Sequence, residues 1–200
     1  EVYGGNRTTP ATETDLLNPT SPYGASKAAF DHHLMIMHRV KNWPVNIIRP
    51  SNCYCPGQQL HRVIPKALIY GMTGRKLPLH GGGVSKKSYL HATDLSKAIE
   101  LVIRTAPAGE IYNVAPYAPT AIRDVVRYCA EVLGKRFEDI ADVADERVGQ
   151  DSVYWMDSTK IRALGWYQEI GWQTGLWDMI GWINKYPELL TMPDTFMMRA

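Results

Sequence analysis

Tyr23 and Lys27 stand four residues apart in the run Ser21-Pro22-Tyr23-Gly24-Ala25-Ser26-Lys27. On a helix both side chains lie on one face, one turn apart. An ammonium held beside a phenol favours the phenolate over the neutral form. Such a pair supplies a general base that can take a proton from a hydroxyl while hydride leaves the carbon. Alone, the spacing is a weak signal, because any long helix carries it by chance. The competing reading is a surface helix with a packed Tyr and a Lys whose stem lies along it.

The elements that position these residues read as follows. Ser21 and Pro22 cap and open a helix running from Tyr23 to about Val40, with Ala29, Phe30, Leu34 and Met37 forming one apolar face. Val45 to Arg49 is short and bounded by prolines, so it reads as a strand. A helix follows from Val63 to Met72, closing at Gly74. A strand near Lys87 to His91 leads to Thr93-Asp94, an N-cap signal for a helix from Leu95 to Arg104. Ile111 to Val114 is a strand, and Thr120 caps a helix from Ala121 to Leu133 that stops at Gly134. A strand near Asp139 to Ala144, a short helix from Ser158 to Leu164 and a last helix from Thr174 to Lys185 complete the series. Alternation of strands and helices predicts an α/β fold with a mostly parallel sheet. Gly81-Gly82-Gly83 opens no helix and reads as a turn, so it is no phosphate-cradling loop. Trp177 and Trp182, with Leu176, Ile180 and Ile183, have the spacing of a packed helix face.

Bulk properties exclude several classes. A net charge of +2 with no Lys/Arg cluster argues against a nucleic-acid partner. Charges interrupt every long apolar stretch, so no membrane span is expected, and the polar start reads as no signal peptide. Cys53, Cys55 and Cys129 lack zinc-site spacing and read as buried reduced thiols, which places the protein in the cytoplasm. No metal site is expected. His32, His33 and His38 read as surface histidines. The opening Glu1-Val2-Tyr3-Gly4 reads as the end of a strand entering a loop, as if the chain began in mid-fold.

Glu1-Val2-Tyr3-Gly4 resembles the end of the Thr-Asp-Glu-Val-Tyr-Gly signature of the dTDP-glucose 4,6-dehydratases. Thr12-Glu13-Thr14 with Pro19 to Tyr23 is similar to the approach to their catalytic helix, and Arg49 to Tyr54 to their strand-end Ser-Asn-Asn-Tyr segment. Arg62-Val63-Ile64-Pro65, Leu77 to Gly81, Lys87 to His91 with Asp94, Tyr112-Asn113-Val114, Arg147 to Asp151 and Asp157 to Trp166 follow in the same order. The resemblance covers nearly the whole chain. It identifies the sequence with the extended short-chain dehydrogenase/reductases, in their NAD-dependent epimerase/dehydratase family.

That resemblance implies the C-terminal part of a Rossmann-type parallel sheet plus a small α/β substrate-binding domain. Residues 1–55, with about 85–115 returning, then belong to the NAD-binding domain, and 56–84 with 116–200 mainly to the substrate domain. The Gly-rich pyrophosphate turn of the family is not among these residues. By resemblance Tyr23 is the base at the sugar 4-hydroxyl, Lys27 binds the nicotinamide ribose and tunes Tyr23, and Glu1 removes the C5 proton. An Asp just before Glu1 would be its acid partner. Cys53 stands near the nicotinamide where the family has a second Asn. Asn52, Arg62, Val63, Pro78, Leu79, His80, Lys87, Asn113, Arg147 and Gln150 match positions around the nucleotide diphosphate sugar. Lys87 replaces an Arg, Gln150 a His and His80 a Tyr.

The implied activity is a nucleotide-sugar 4,6-dehydratase in carbohydrate biosynthesis, with NAD as cofactor and a homodimer as assembly. The alternatives are a C4 epimerase or decarboxylase on the same scaffold, and a non-catalytic remnant that binds a sugar nucleotide. Glu1 favours dehydration, because a C4 epimerase needs no base at C5. In the full-length protein, Tyr23→Phe should lower turnover by about two orders of magnitude or more in a steady-state assay, and near-normal turnover would remove the catalytic assignment.

Overall fold

The computed structural model describes residues 1–144 and 153–194. They divide into two units. The first comprises Glu1–Cys53, Lys86–Pro119 and Asp151–Glu169; the second comprises Tyr54–Ser85, Thr120–Gln150 and Ile170–Ala200. The sequence reading assigns all of 116–200 mainly to the second unit, whereas Asp151–Glu169 returns to the first. Backbone pairing gives the reason: the Ala11 N–H donates to the Trp155 carbonyl at 3.0 Å and the Asp157 N–H to the Ala11 carbonyl at 2.8 Å. Ile161 and Trp166 then join a buried cluster with Leu90, Ala98, Val102, Tyr112 and Val114.

In the first unit the strands Ile47–Pro50 and Ile111–Val114 pair in parallel, with Arg49 opposite Asn113. Parallel strands need a crossover, and the helix Ala92–Thr105 lies in that connection. It begins earlier than Thr93-Asp94 predicts. His91 is the N-cap, its ring nitrogen accepting from the Thr93 N–H at 3.4 Å. Asp94 is therefore no cap: it lies fully buried in the first turn, and its carboxylate accepts the Glu169 N–H at 3.1 Å. A carboxylate there also suits the positive end of the helix dipole.

The helix Pro22–Lys41 starts as predicted, with the Ser21 hydroxyl accepting the Gly24 N–H at 3.0 Å. It ends at Asn42, whose φ of 55° is left-handed. Its apolar face is less buried than the spacing suggests. Gly24 and Ala28 are buried, while Phe30 is 57% exposed.

Beneath this helix runs a chain of buried polar groups. Arg49 Nη1 donates to the Tyr3 hydroxyl at 2.5 Å, and that hydroxyl donates to Asn113 Oδ1 at 2.8 Å. Asn113 Nδ2 then donates to the Ala11 carbonyl at 3.0 Å. Arg49 Nε also donates to Asp31, on the helix, at 2.7 Å. Burial pushes the Tyr3 phenol up, against the opposing pull of the Arg49 charge.

In the second unit Leu77–His80 pairs in parallel with Ala141–Ala144. The helices Val63–Thr73, Ile122–Val132 and Trp172–Lys185 bury Ile64, Leu68, Val125, Val126, Leu176, Met179 and Ile183. Thr120 is not the cap of the second of these; Ala121 occupies that position, without a side-chain cap. The strand expected from Asp139 starts at Ala141, because Phe137–Ile140 forms a short helix. Trp177, expected in the core, is 52% exposed. Trp172, half-buried, is stacked on Tyr54 and Tyr128 with ring centres 5.4 Å apart in each case. Gly81–Gly83 is a tight turn with φ of 56°, 64° and 67°, three successive left-handed residues that only glycine adopts freely.

Among the described residues no helix is long and apolar enough to cross a membrane, and no His/Cys/Asp/Glu group has the arrangement of a metal site. Cys129 is buried, but Cys53 and Cys55 are only half-buried. The Asn113→Ala variant strips Tyr3 of its acceptor and Ala11 of its donor inside the first unit. It should lose about 2 kcal/mol in urea denaturation, and unchanged stability would show that Asn113 is not the brace described here.

Candidate active site

Glu1 is tied to the cap of the helix that carries Tyr23. The Ser21 hydroxyl donates to Glu1 Oε2 at 2.8 Å while accepting the Gly24 N–H, so one side chain ties the carboxylate to the first helical turn. Gly24 makes the approach possible. A Cβ there would lie 3.1 Å from both the Glu1 carbonyl oxygen and Pro19 Cβ. The first turn holds no acidic residue of its own, so the Glu1 carboxylate supplies the negative charge that a helix N-terminus favours. Two residues beyond Ser21, Tyr23 is 60% exposed, and the Lys27 ammonium lies 5.4 Å from the centre of its ring. Phenol, ammonium and carboxylate therefore share one helix end. A hydroxyl-bearing ligand laid across it meets a proton acceptor, a cation and a second base.

The other residues of the first unit fall into two groups. Asn52 is exposed at a strand end, and its N–H donates to the Ser88 carbonyl at 3.1 Å. Cys53 is half-buried beside it, with Sγ 3.6 Å from the Ser51 carbonyl oxygen. Lys87 is half-buried, its ammonium 3.6 Å from the centre of the Tyr154 ring. These three suit a ligand-facing surface. Asn113 does not. It is fully buried, and Tyr3 and Ala11 engage its side chain, so its substrate-binding assignment is replaced by a bracing one. A strand-end position does not distinguish the two roles.

Arg62, Val63, Pro78, Leu79 and His80 belong to the second unit. Arg62 is the exposed N-cap residue of the helix Val63–Thr73, whose first residue Val63 is half-buried. Pro78 and His80 point outward from their strand, whereas Leu79 is 4% exposed and its side chain packs into the core. The alternation of a strand explains this, since neighbouring residues face opposite sides. Leu79 therefore offers a ligand no side-chain surface. Arg147 and Gln150 lie outside the described residues.

Sequence reasoning did not single out Tyr3, Arg49, Asp31 or Tyr154. Arg49 carried a signal: a cation inside an apolar strand needs a buried partner. Nothing in the sequence pairs Tyr154 with Lys87.

A capped helix bearing Tyr and Lys one turn apart, on an α/β unit with parallel strands, fits the Rossmann-type dehydratase and epimerase class. The chain belongs to the GDP-mannose 4,6 dehydratase family, whose model matches residues 1–179. It is similar to a trifunctional UDP-glucose 4,6-dehydratase/3,5-epimerase/reductase of Arabidopsis thaliana, with 34% identity over 99% of this chain and 31% of that protein. It is 32% identical to the dTDP-D-glucose 4,6-dehydratase of Homo sapiens, over 92% of this chain and 54% of the relative. Among solved structures, dTDP-glucose 4,6-dehydratase from Bacillus anthracis in complex with NAD superposes with a TM-score of 0.86 and 31% identity, covering 94% of this chain and 60% of that one. The chain thus spans between 31% and 60% of the length of these relatives.

Proposed function

We propose that the protein is an NAD-dependent nucleotide-sugar 4,6-dehydratase. The observation that carries this reading is the hydrogen bond between Ser21 and Glu1, which places a carboxylate at the same helix end as Tyr23. An enzyme that only inverts C4 has no use for a second base there.

The residues present fit the nicotinamide end of the cofactor. Lys27 and Tyr23 are exposed on one helix face, as donors to a ribose must be. NAD, when bound, supplies a reversible hydride acceptor for the sugar carbon. Lys27 holds the ribose hydroxyls, with its ammonium 5.4 Å from the centre of the Tyr23 ring. Tyr23 takes the proton of the 4-hydroxyl as that carbon is oxidised. The resulting ketone acidifies the adjacent C5–H; Glu1 takes that proton, and the C6 hydroxyl leaves as water on taking a proton from the acid partner that the resemblance sets just before Glu1. The hydride drawn from C4 would then return to C6 and a proton to C5, which closes the balance at the 4-keto-6-deoxy sugar. Ser21 holds the Glu1 carboxylate in position for the step. Asn52 and Lys87 serve the diphosphate and sugar, supplying charge and N–H donors to phosphate oxygens.

Dehydration and C4 oxidation are separable in the full-length protein. Glu1→Gln should cut formation of the 4-keto-6-deoxy product by about two orders of magnitude, while single-turnover reduction of bound NAD by dTDP-glucose or UDP-glucose persists. An unchanged product rate would remove Glu1 as the C5 base, and equal loss of both steps would make its role structural.

A further inference from the structure

Tyr23, Lys27 and Asp31 stand at four-residue intervals along the helix Pro22–Lys41. Residues at that spacing are neighbours on the helix surface, with Cβ atoms about 5–6 Å apart. Lys27 therefore lies between a phenol one turn before it and a carboxylate one turn after it. Of the positions three or four residues from Asp31 on this helix, which are Lys27, Ala28, Leu34 and Met35, Lys27 is the charged one. An ion pair with Asp31 is thus within its reach, yet Lys27 leans the other way. Its Nζ lies 5.4 Å from the centre of the Tyr23 ring, and among the described residues it forms no ion pair.

Arg49 accounts for this. It reaches the helix from the strand Ile47–Pro50, and its Nε donates to Asp31 Oδ2 at 2.7 Å. The guanidinium is buried and the carboxylate only 14% exposed, so each charge depends on the other rather than on water. Nη1 of the same guanidinium donates to the Tyr3 hydroxyl, which fixes the direction from which Arg49 holds Asp31. Take the guanidinium away and Asp31 becomes a poorly hydrated carboxylate without its cation. Lys27, a compact charge on a flexible four-carbon stem, is then the helical neighbour able to satisfy it. Turned toward Asp31, that ammonium points away from Tyr23 and from the helix end where Ser21 holds Glu1.

We propose that Arg49 is a positioning residue for the cofactor: by holding Asp31 it keeps that carboxylate from capturing Lys27, and so leaves the ammonium to the ribose of NAD. The inference rests on the assignment of Lys27 to that ribose. The test is calorimetric titration of the full-length protein, freed of bound nucleotide, with NAD. The proteins compared are the wild type, Lys27→Met, Asp31→Asn, Arg49→Gln and the double variants Arg49→Gln/Asp31→Asn and Lys27→Met/Arg49→Gln. Lys27→Met should weaken affinity about tenfold or more, the loss of a charge-assisted bond. Arg49→Gln removes the charge but keeps an N–H donor, and should weaken affinity about three- to tenfold, in proportion to the fraction of Lys27 left free. Asp31→Asn should change it by less than about twofold, and joined to Arg49→Gln it should bring affinity back to within about twofold of the wild type. In the Lys27→Met background, Arg49→Gln should add nothing. Thermal melts confirm folding, and Arg49→Met replaces the glutamine variant should that one unfold. Wild-type affinity in Arg49→Gln, no recovery on adding Asp31→Asn, an equal loss in Asp31→Asn alone, or an undiminished Arg49→Gln effect without Lys27 would each overturn the proposal. No effect of Lys27→Met, or no binding of NAD, would instead overturn the assignment of Lys27 on which it rests.

Discussion

The hydroxyl of Tyr3 accepts from Arg49 and donates to Asn113, and through those two bonds three separate pieces of the first unit are held in one place. Arg49 and Asn113 are opposite partners on neighbouring parallel strands, so their side chains emerge on the same face of the sheet. Tyr3 lies over both, with the Arg49 guanidinium 4.9 Å from the centre of its ring. Asp31 brings in the Tyr/Lys helix, and the Ala11 carbonyl brings in the polar loop. Each group here is buried or nearly so, and each bond satisfies a partner that water cannot reach. Such networks have high stakes: complete, they fix one arrangement, and an unmet member costs its desolvation.

Placement of the proposed reactive groups follows from that constraint. Fixing Tyr3 fixes the turn that begins at Glu1, closed by the Gly4 N–H donating to the Glu1 carbonyl at 3.1 Å. The Asn18 N–H donates to the Val2 carbonyl at 2.9 Å, which draws the end of the polar loop against the same turn. The loop then delivers Ser21, whose hydroxyl serves both the helix cap and the Glu1 carboxylate. The exposed Tyr23, Lys27 and Glu1 thus stand on a buried, hydrogen-bonded base, an arrangement suited to groups that must keep their geometry while facing solvent or ligand.

Local signals in the sequence were sufficient for much of this architecture. Ser21-Pro22 marks the helix start, Gly74 and Gly134 mark helix ends with left-handed φ, and the strands Ile47–Pro50 and Ile111–Val114 lie where short apolar runs predict them. What escaped depended on contacts distant in sequence. Asn113 looked like a ligand residue because its buried partner, Tyr3, lies 110 positions away. Asp94 looked like a cap because Thr93-Asp94 has cap chemistry, but its carboxylate is needed by Glu169. Trp177 has core spacing, yet the inner face of its helix is filled by Leu176, Met179, Ile180 and Ile183. Residues 153–169 could not be assigned from periodicity, since their place is set by pairing with Ala11 and with Lys86.

The central claim is that Glu1 and Tyr23 act as two bases on adjacent carbons of one sugar ring, held there by the Tyr3 network and the Ser21 cap. A crystal structure of the full-length protein with NAD and a dTDP- or UDP-hexose tests it most directly. The account predicts the Tyr23 hydroxyl within hydrogen-bond reach of the sugar O4, about 2.6–3.2 Å, with the Glu1 carboxylate against the C5 hydrogen and still bonded to Ser21. A sugar bound with Glu1 turned away from C5, or with Tyr23 out of reach of O4, would contradict it.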